Sequence, residues 1–225
     1  MTEIRELTMV SIAVRTMMSL LVGGLLGMDR GRKNRPAGLR TYMLVCLGSA
    51  MVMMTNQYVT QVFKTGDPVR LGAQVISGIG FLGAGSIVVT GRSQIRGITT
   101  AAGLWASACV GLAIGIGLYE VAVIGTLLVF FVLTYMQKLD VQLRKRARVI
   151  DVYVELDDKS GMSGFIKYLR NMSLEISNLQ MQYEYHMVTE TLSFTVTVRS
   201  QTNQNRAEIL RRIQRAPHLS FVEEL

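Results

Sequence analysis

Residues 74–111, QVISGIGFLGAGSIVVTGRSQIRGITTAAGLWASACVG, form two apolar runs rich in glycine and alanine, hinged by a short basic loop. A water-soluble core has no ordinary counterpart to this pattern, whereas helices in a bilayer associate through small residues that let their backbones approach. Read as a helix, Gly103, Ser107, Gly111 and Gly115 recur at every fourth position and share one face. Such a face is shaped for a neighbouring helix. Ser19, Gly23 and Gly27 repeat in the same way, and Ala73, Ser77, Gly80 and Ala84 at intervals of four, three and four. These seams predict either a compact core of the three helices that carry them or a contact between protomers.

Apolar residues crowd into the first two thirds of the 225-residue chain. Five stretches, residues 8–28, 39–58, 71–90, 98–117 and 118–136, are each long enough to cross roughly 30 Å of hydrocarbon at about 1.5 Å per residue. The first lacks a basic leader and a small-residue cleavage site, so it reads as a retained span and not as a secretion signal. Basic residues near spans stay on the cytoplasmic side. Arg30, Arg32, Lys33, Arg35 and Arg40 follow the first span, Arg92 and Arg96 follow the third, and Lys138, Arg144, Lys145, Arg146 and Arg148 follow the fifth. Only Arg5, Lys64 and Arg70 fall on the other face. The expected topology is five crossings, the N-terminus outside and the C-terminus in the cytoplasm.

The net charge of +8 divides into +10 before Val149 and −2 from Val149 onward. The excess is therefore a topology and anionic-lipid signal, not a nucleic-acid footprint. Cys46 and Cys109 lie in spans without metal-ligand spacing, and no metal or cofactor is expected. Gly78, Gly80 and Gly83 spell a dinucleotide fingerprint, yet they sit inside an apolar span with neither the strand-turn-helix setting nor the later acid that the mechanism needs. His186 and His218 have no nucleophile or acid arranged around them, so nothing recommends an enzyme.

From residue 149 the periodicity changes. Ile150, Val152, Val154 and Leu156 alternate as one face of a strand, Asp157–Gly161 is turn chemistry, and Phe165, Leu169 and Met172 recur at helical spacing. Extended segments at 173–184 and 191–199, a helix at 206–215 and a strand at 219–223 complete a β-α-β-β-α-β order, the split ferredoxin-like arrangement. The pattern VYVELDDKSGMSGFIKYLRN resembles an ACT-type domain, which suggests a dimerising or sensing module. Asp157 and Gly161 read as the turn into the helix in preference to a ligand site. The domain reading is 1–137 transmembrane, 138–148 a basic juxtamembrane linker and 149–225 cytoplasmic.

Several side chains are candidates for function. Arg15 lies within hydrocarbon depth on the face of Ser19, where an Arg costs about 2.5 to 3.5 kcal/mol unless it finds acceptors; Glu120, Asp67, Gln74 and backbone carbonyls are candidates, with snorkelling to the headgroups as the alternative. Asp29 and Arg30 end the first span, and Arg35, Arg40 and Thr41 open the second. With Arg96, Thr99 and Thr100 they form either a polar cluster for an anionic headgroup or partner, or a solvated basic loop with helix-cap threonines. Trp105 lies mid-span, where packing is its commoner role.

Three blocks in order, GMDRGRKNRPAGLRTYMLVCLGSA, QVISGIGFLGAGSI and IRGITTAAGLWASACVG, closely resemble the MgtC/SapB family of bacterial inner-membrane proteins across the whole chain. Asp29-Arg30 stands where the family usually has Glu-Arg. Some virulence-associated members carry Asn at the position of Thr99 and Cys at that of Ala106, so roles resting on those side chains do not transfer. The resemblance implies a non-enzymatic regulator of membrane energetics and of magnesium or acid-stress adaptation, linked in pathogens to survival in macrophages and to restraint of the F-type ATP synthase. A homo-oligomer, with a dimer favoured, membrane lipids and a membrane-protein partner are expected, and an ion transporter or channel is the alternative.

Overall fold

The computed structural model describes residues 6–32, 36–64, 66–89, 95–158, 161–182, 192–202 and 205–225; for residues 29, 31, 32, 144–146 and 182 it describes the backbone alone. The chain divides into two compact units, one reaching Gln137 and the other starting at Lys138.

The first unit is helical: α1 (Met9–Arg32), α2 (Leu39–Phe63), α3 (Arg70–Gly85), a two-residue hairpin of β1 (Val88–Val89) and β2 (Ile95–Arg96), α4 (Ile98–Gly115) and α5 (Tyr119–Phe131). A π-helical turn, Val132–Met136, then leads to α6 (Gln137–Arg146). The segments Met9–Met28, Ile98–Gly115 and Tyr119–Leu143 are long and apolar enough to cross a membrane. At sixteen residues α3 reaches about 24 Å, short of the hydrocarbon thickness. Asn56 and Gln57 dilute the apolar character of the last third of α2. Within the apolar stretch 71–90 the helix ends at Gly85, because the chain turns into the hairpin. Gly97 closes it at φ +102°, and a Cβ there would lie 2.7 Å from the Ser86 carbonyl carbon, so both torsion and space demand glycine.

The packing inside this unit centres on α2. A Cβ on Gly23 would lie 2.7 Å from the Tyr42 carbonyl oxygen, and one on Gly27 would lie 2.8 Å from the Leu39 Cα, so α1 presses its small-residue face onto the first half of α2. From the other side, Gly103 of α4 meets the Tyr42 hydroxyl, Gly111 meets the Cys46 carbonyl and Ser49, and Gly115 meets Ala50 and Met53. The buried positions of α2, Tyr42, Cys46, Ser49, Ala50, Met53, Met54 and Asn56, include the strip between them. Helices whose backbones approach this closely associate by dispersion contacts that a larger side chain would abolish.

Of the two uses the seams allowed, a core made of the three helices that carry them is not what forms. Those of α1 and α4 are buried, but against α2, which has no such seam of its own. On α3 the residues that pack are Gly72, Ile79 and Gly83, while Ala73, Ser77, Gly80 and Ala84 are all exposed. A Cβ added at Gly80 would meet no described atom within 4 Å outside its own stretch of helix.

In the second unit, β3 (Val149–Leu156), α7 (Gly161–Asn171), β4 (Leu174–Gln182), β5 (Leu192–Ser200), α8 (Arg206–Ile213) and β6 (Leu219–Glu224) follow in the β-α-β-β-α-β order. The sheet order is β4-β5-β3-β6 and every pair is antiparallel. Ile150, Val152, Val154 and Leu156 turn inward from the central strand onto Phe165 and Leu169 of α7 and Ile209 and Ile213 of α8. Phe165 stands edge-on to Phe194 with ring centroids 5.7 Å apart. Met172 lies beyond the end of α7 and is exposed, contrary to its helical spacing. Asp157 and Asp158 are exposed turn residues, and Gly161 begins α7 with its amide bonded to the Asp158 carbonyl, in keeping with turn chemistry. His186 lies outside the described residues; His218 occupies the turn before β6 and accepts the Asp157 amide on its carbonyl.

Candidate functional site: two buried arginines in the helical unit

Among the described residues, the charged side chains buried in the helical unit are Arg15 and Arg30. Both belong to the inward stripe of α1, where Ser11, Arg15, Ser19, Gly23, Leu26, Gly27 and Arg30 are buried in succession. At about 1.5 Å per residue the two lie roughly 22 Å apart along the helix.

Arg15 is fully buried. Its guanidinium donates to Gln57 Oε1 at 2.7 Å, to the Gly115 carbonyl at 2.7 Å and to Tyr119 Oη at 3.2 Å. The Gly115 carbonyl lies at the C-terminus of α4, where the helix's unbonded carbonyls carry partial negative charge and favour a cation. Arg15 thus ties α1 to α2, to the end of α4 and to the start of α5. Of the expected partners, a backbone carbonyl is correct, while the side-chain amide is that of Gln57; Gln74 is exposed on α3. Snorkelling does not describe a fully buried side chain.

Arg30, 2% exposed, occupies the opposite end. Its Nη2 donates to Thr100 Oγ1 at 3.2 Å, and its Nε, also buried, has no hydrogen-bond partner. Beside it stands the buried hydroxyl of Tyr42, near enough for the Arg30 guanidinium to act on it although no hydrogen bond of ordinary geometry joins them. Tyr42 packs with Leu26, Ala37, Leu104 and Leu133, a mostly aliphatic surround. The solvated-loop reading is therefore corrected for two of its members. Arg30 is not in solvent, and Thr100 accepts from Arg30 and makes no cap to its own helix.

The remaining candidates disperse. Arg40, Arg96 and Thr99 are exposed, and Thr41 is half-buried. Trp105 faces outward from α4, 49% exposed. Arg35 and the side chain of Asp29 lie outside the described residues. Tyr42, Gln57 and Tyr119 were not anticipated. Their signal is weak: Tyr42 and Gln57 lie at the two ends of the buried strip of α2, visible only once that helix is known to be covered on both sides. The dinucleotide spelling at Gly78–Gly83 is helical throughout, with no strand or turn to cradle a pyrophosphate.

Together these features define a membrane protein with a glycine-packed helical bundle, a buried arginine toward each end and a small separate sheet unit. The chain belongs to the MgtC family, which residues 16–142 match. It is 34% identical to protein MgtC of Brucella abortus over 84% of this chain and 80% of that one. It is 30% identical to YhiD of Escherichia coli K12 over 82% and 87%, and 30% identical to protein SapB of Bacillus subtilis over 76% and 77%. No solved structure matches.

Proposed function

We propose that this chain is a non-enzymatic regulatory protein of the bacterial cytoplasmic membrane, which modulates membrane energetics and magnesium or acid-stress adaptation by contact with other membrane proteins. In this reading all five helices of the first unit cross the bilayer, with the N-terminus outside and an ACT-like domain in the cytoplasm. The charge asymmetry of the loops supports the orientation. The partner offered by the family resemblance is the F-type ATP synthase.

The observation that carries the reading is the sign of the buried charge. A path for Mg²⁺ needs carboxylate or carbonyl oxygens around a largely hydrated ion. The described interior of the bundle buries Arg15 and Arg30 and no carboxylate, and a guanidinium repels a divalent cation. A second reading, ion transport, rests on the magnesium-transporter wording in the name of YhiD. The exposed seam Ala73, Ser77, Gly80 and Ala84 supports a homo-oligomer, dimeric in the simplest case, through α3.

ATP-driven proton pumping in inverted membrane vesicles tests the regulatory reading. Vesicles containing the protein are expected to acidify more slowly than vesicles lacking it, at equal ATP synthase content. Equal rates remove the ATP synthase as the partner.

A further inference from the structure

Arg30 brings a buried cation to a helix N-terminus. Its guanidinium reaches the first turn of α4 by bonding Thr100, the third residue of that helix. The first intrahelical bond of α4 is made by the Ala101 amide to the Gly97 carbonyl, so the amides of Ile98, Thr99 and Thr100 precede it. A helix N-terminus carries roughly half a positive charge, which places a cation where an anion is preferred. The C-terminal carbonyls of α1, which ends at Arg32, offer only a partial negative charge in return. No carboxylate among the described residues pairs with Arg30. A buried guanidinium whose one bond among the described residues goes to a neutral hydroxyl leaves much of its desolvation uncompensated by them. The nearby Tyr42 hydroxyl is a second buried donor without an acceptor.

We infer that Arg30, Tyr42 and Thr100, together with the first turn of α4, form a binding site for a phosphate group. Arg30 Nε–H and Tyr42 Oη–H each lack an acceptor, the Thr100 hydroxyl accepts from Arg30 and keeps its own proton to give, and phosphate is a tetrahedral anion that can accept from several donors at once. The group is carried either by an anionic lipid headgroup at the membrane surface or by free inorganic phosphate; the chemistry is common to both. The site stands whether or not the regulatory reading does, because it rests on the geometry of Arg30, Tyr42 and Thr100.

The test uses the full-length protein in phosphatidylcholine nanodiscs, where choline offsets the headgroup charge. Thermal unfolding is followed by the fluorescence of Trp105, the single tryptophan. In one arm inorganic phosphate is added against chloride of matched ionic strength; in the other, phosphatidylglycerol replaces part of the phosphatidylcholine. At least one arm is expected to raise Tm, and Arg30→Gln to abolish the rise, while Lys138→Gln, an equal loss of charge at an exposed position, retains it. A rise with phosphate assigns a soluble anion; a rise with phosphatidylglycerol alone assigns a headgroup. Thr100→Val, which keeps every charge, is expected to need about tenfold more ligand for the same shift, the scale of one lost charge-assisted hydrogen bond, and it carries the test should Arg30→Gln fail to fold. No rise in either arm, or wild-type responses from both Arg30→Gln and Thr100→Val, overturns the site.

Discussion

Arg15 shows how a single side chain can hold a bundle together from inside it. Its acceptors come from α2, α4 and α5, so removing any one leaves a buried charge less satisfied. Gln57→Leu is expected to cost about 1 to 3 kcal/mol, the penalty for depriving a buried charged donor of its acceptor. Gln74→Leu, at an exposed position, is expected to be nearly silent. Thermal unfolding in mild detergent checks the pair, and equal Tm values would deny Gln57 its role. The glycines of α4 give a second residue-level prediction. A side chain at Gly111 collides with the Cys46 carbonyl and Ser49, so Gly111→Leu should destabilise by about 1 to 3 kcal/mol. Val123→Leu, on a half-exposed position of α5, should leave the same melting curve unchanged.

At the scale of elements, α2 holds the unit together and α3 lies apart from its centre. Small-residue spacing made the faces of α1 and α4 legible, since period four on a helix is a property of sequence alone. It could not say what those faces touch. The helix between them presents Tyr42, Cys46, Ser49 and Met53, ordinary side chains that fill the grooves the glycines leave. The same limit left two uses open for the seam of α3, whose small residues face outward while Gly72, Ile79 and Gly83 pack. Gly80→Leu separates the two uses of such a seam. It should leave the unfolding temperature of the protomer unchanged while lowering cross-linked dimer in membranes. A fall in stability would place the seam inside the protomer, and unaltered cross-linking would remove it from the protomer contact.

At the scale of the whole molecule, the change from helical seams to alternating strands near residue 149 was plain in the sequence, and the β-α-β-β-α-β order followed from turn chemistry and period two. The buried arginines were half legible. Charge at hydrocarbon depth singled out Arg15, but Arg30 read as one of several basic residues on a loop, because burial at a helix end depends on the neighbours Tyr42, Ala37 and Leu104 that only the fold assembles. Topology has its own check. Pro68→Cys and Ser220→Cys, each in a chain with Cys46 and Cys109 replaced, should differ in intact cells: an impermeant maleimide labels the first and spares the second. The reverse pattern would invert the proposed orientation.

The most direct measurement of the central claim, that this bundle regulates and does not conduct, is Mg²⁺ flux into dye-loaded liposomes carrying the purified protein. Arginines, not carboxylates, are the charges buried in the described interior, so the account predicts a rate no greater than that of empty liposomes across an imposed Mg²⁺ gradient. Protein-dependent Mg²⁺ uptake that a substitution within the bundle abolishes would contradict it and establish the transport reading.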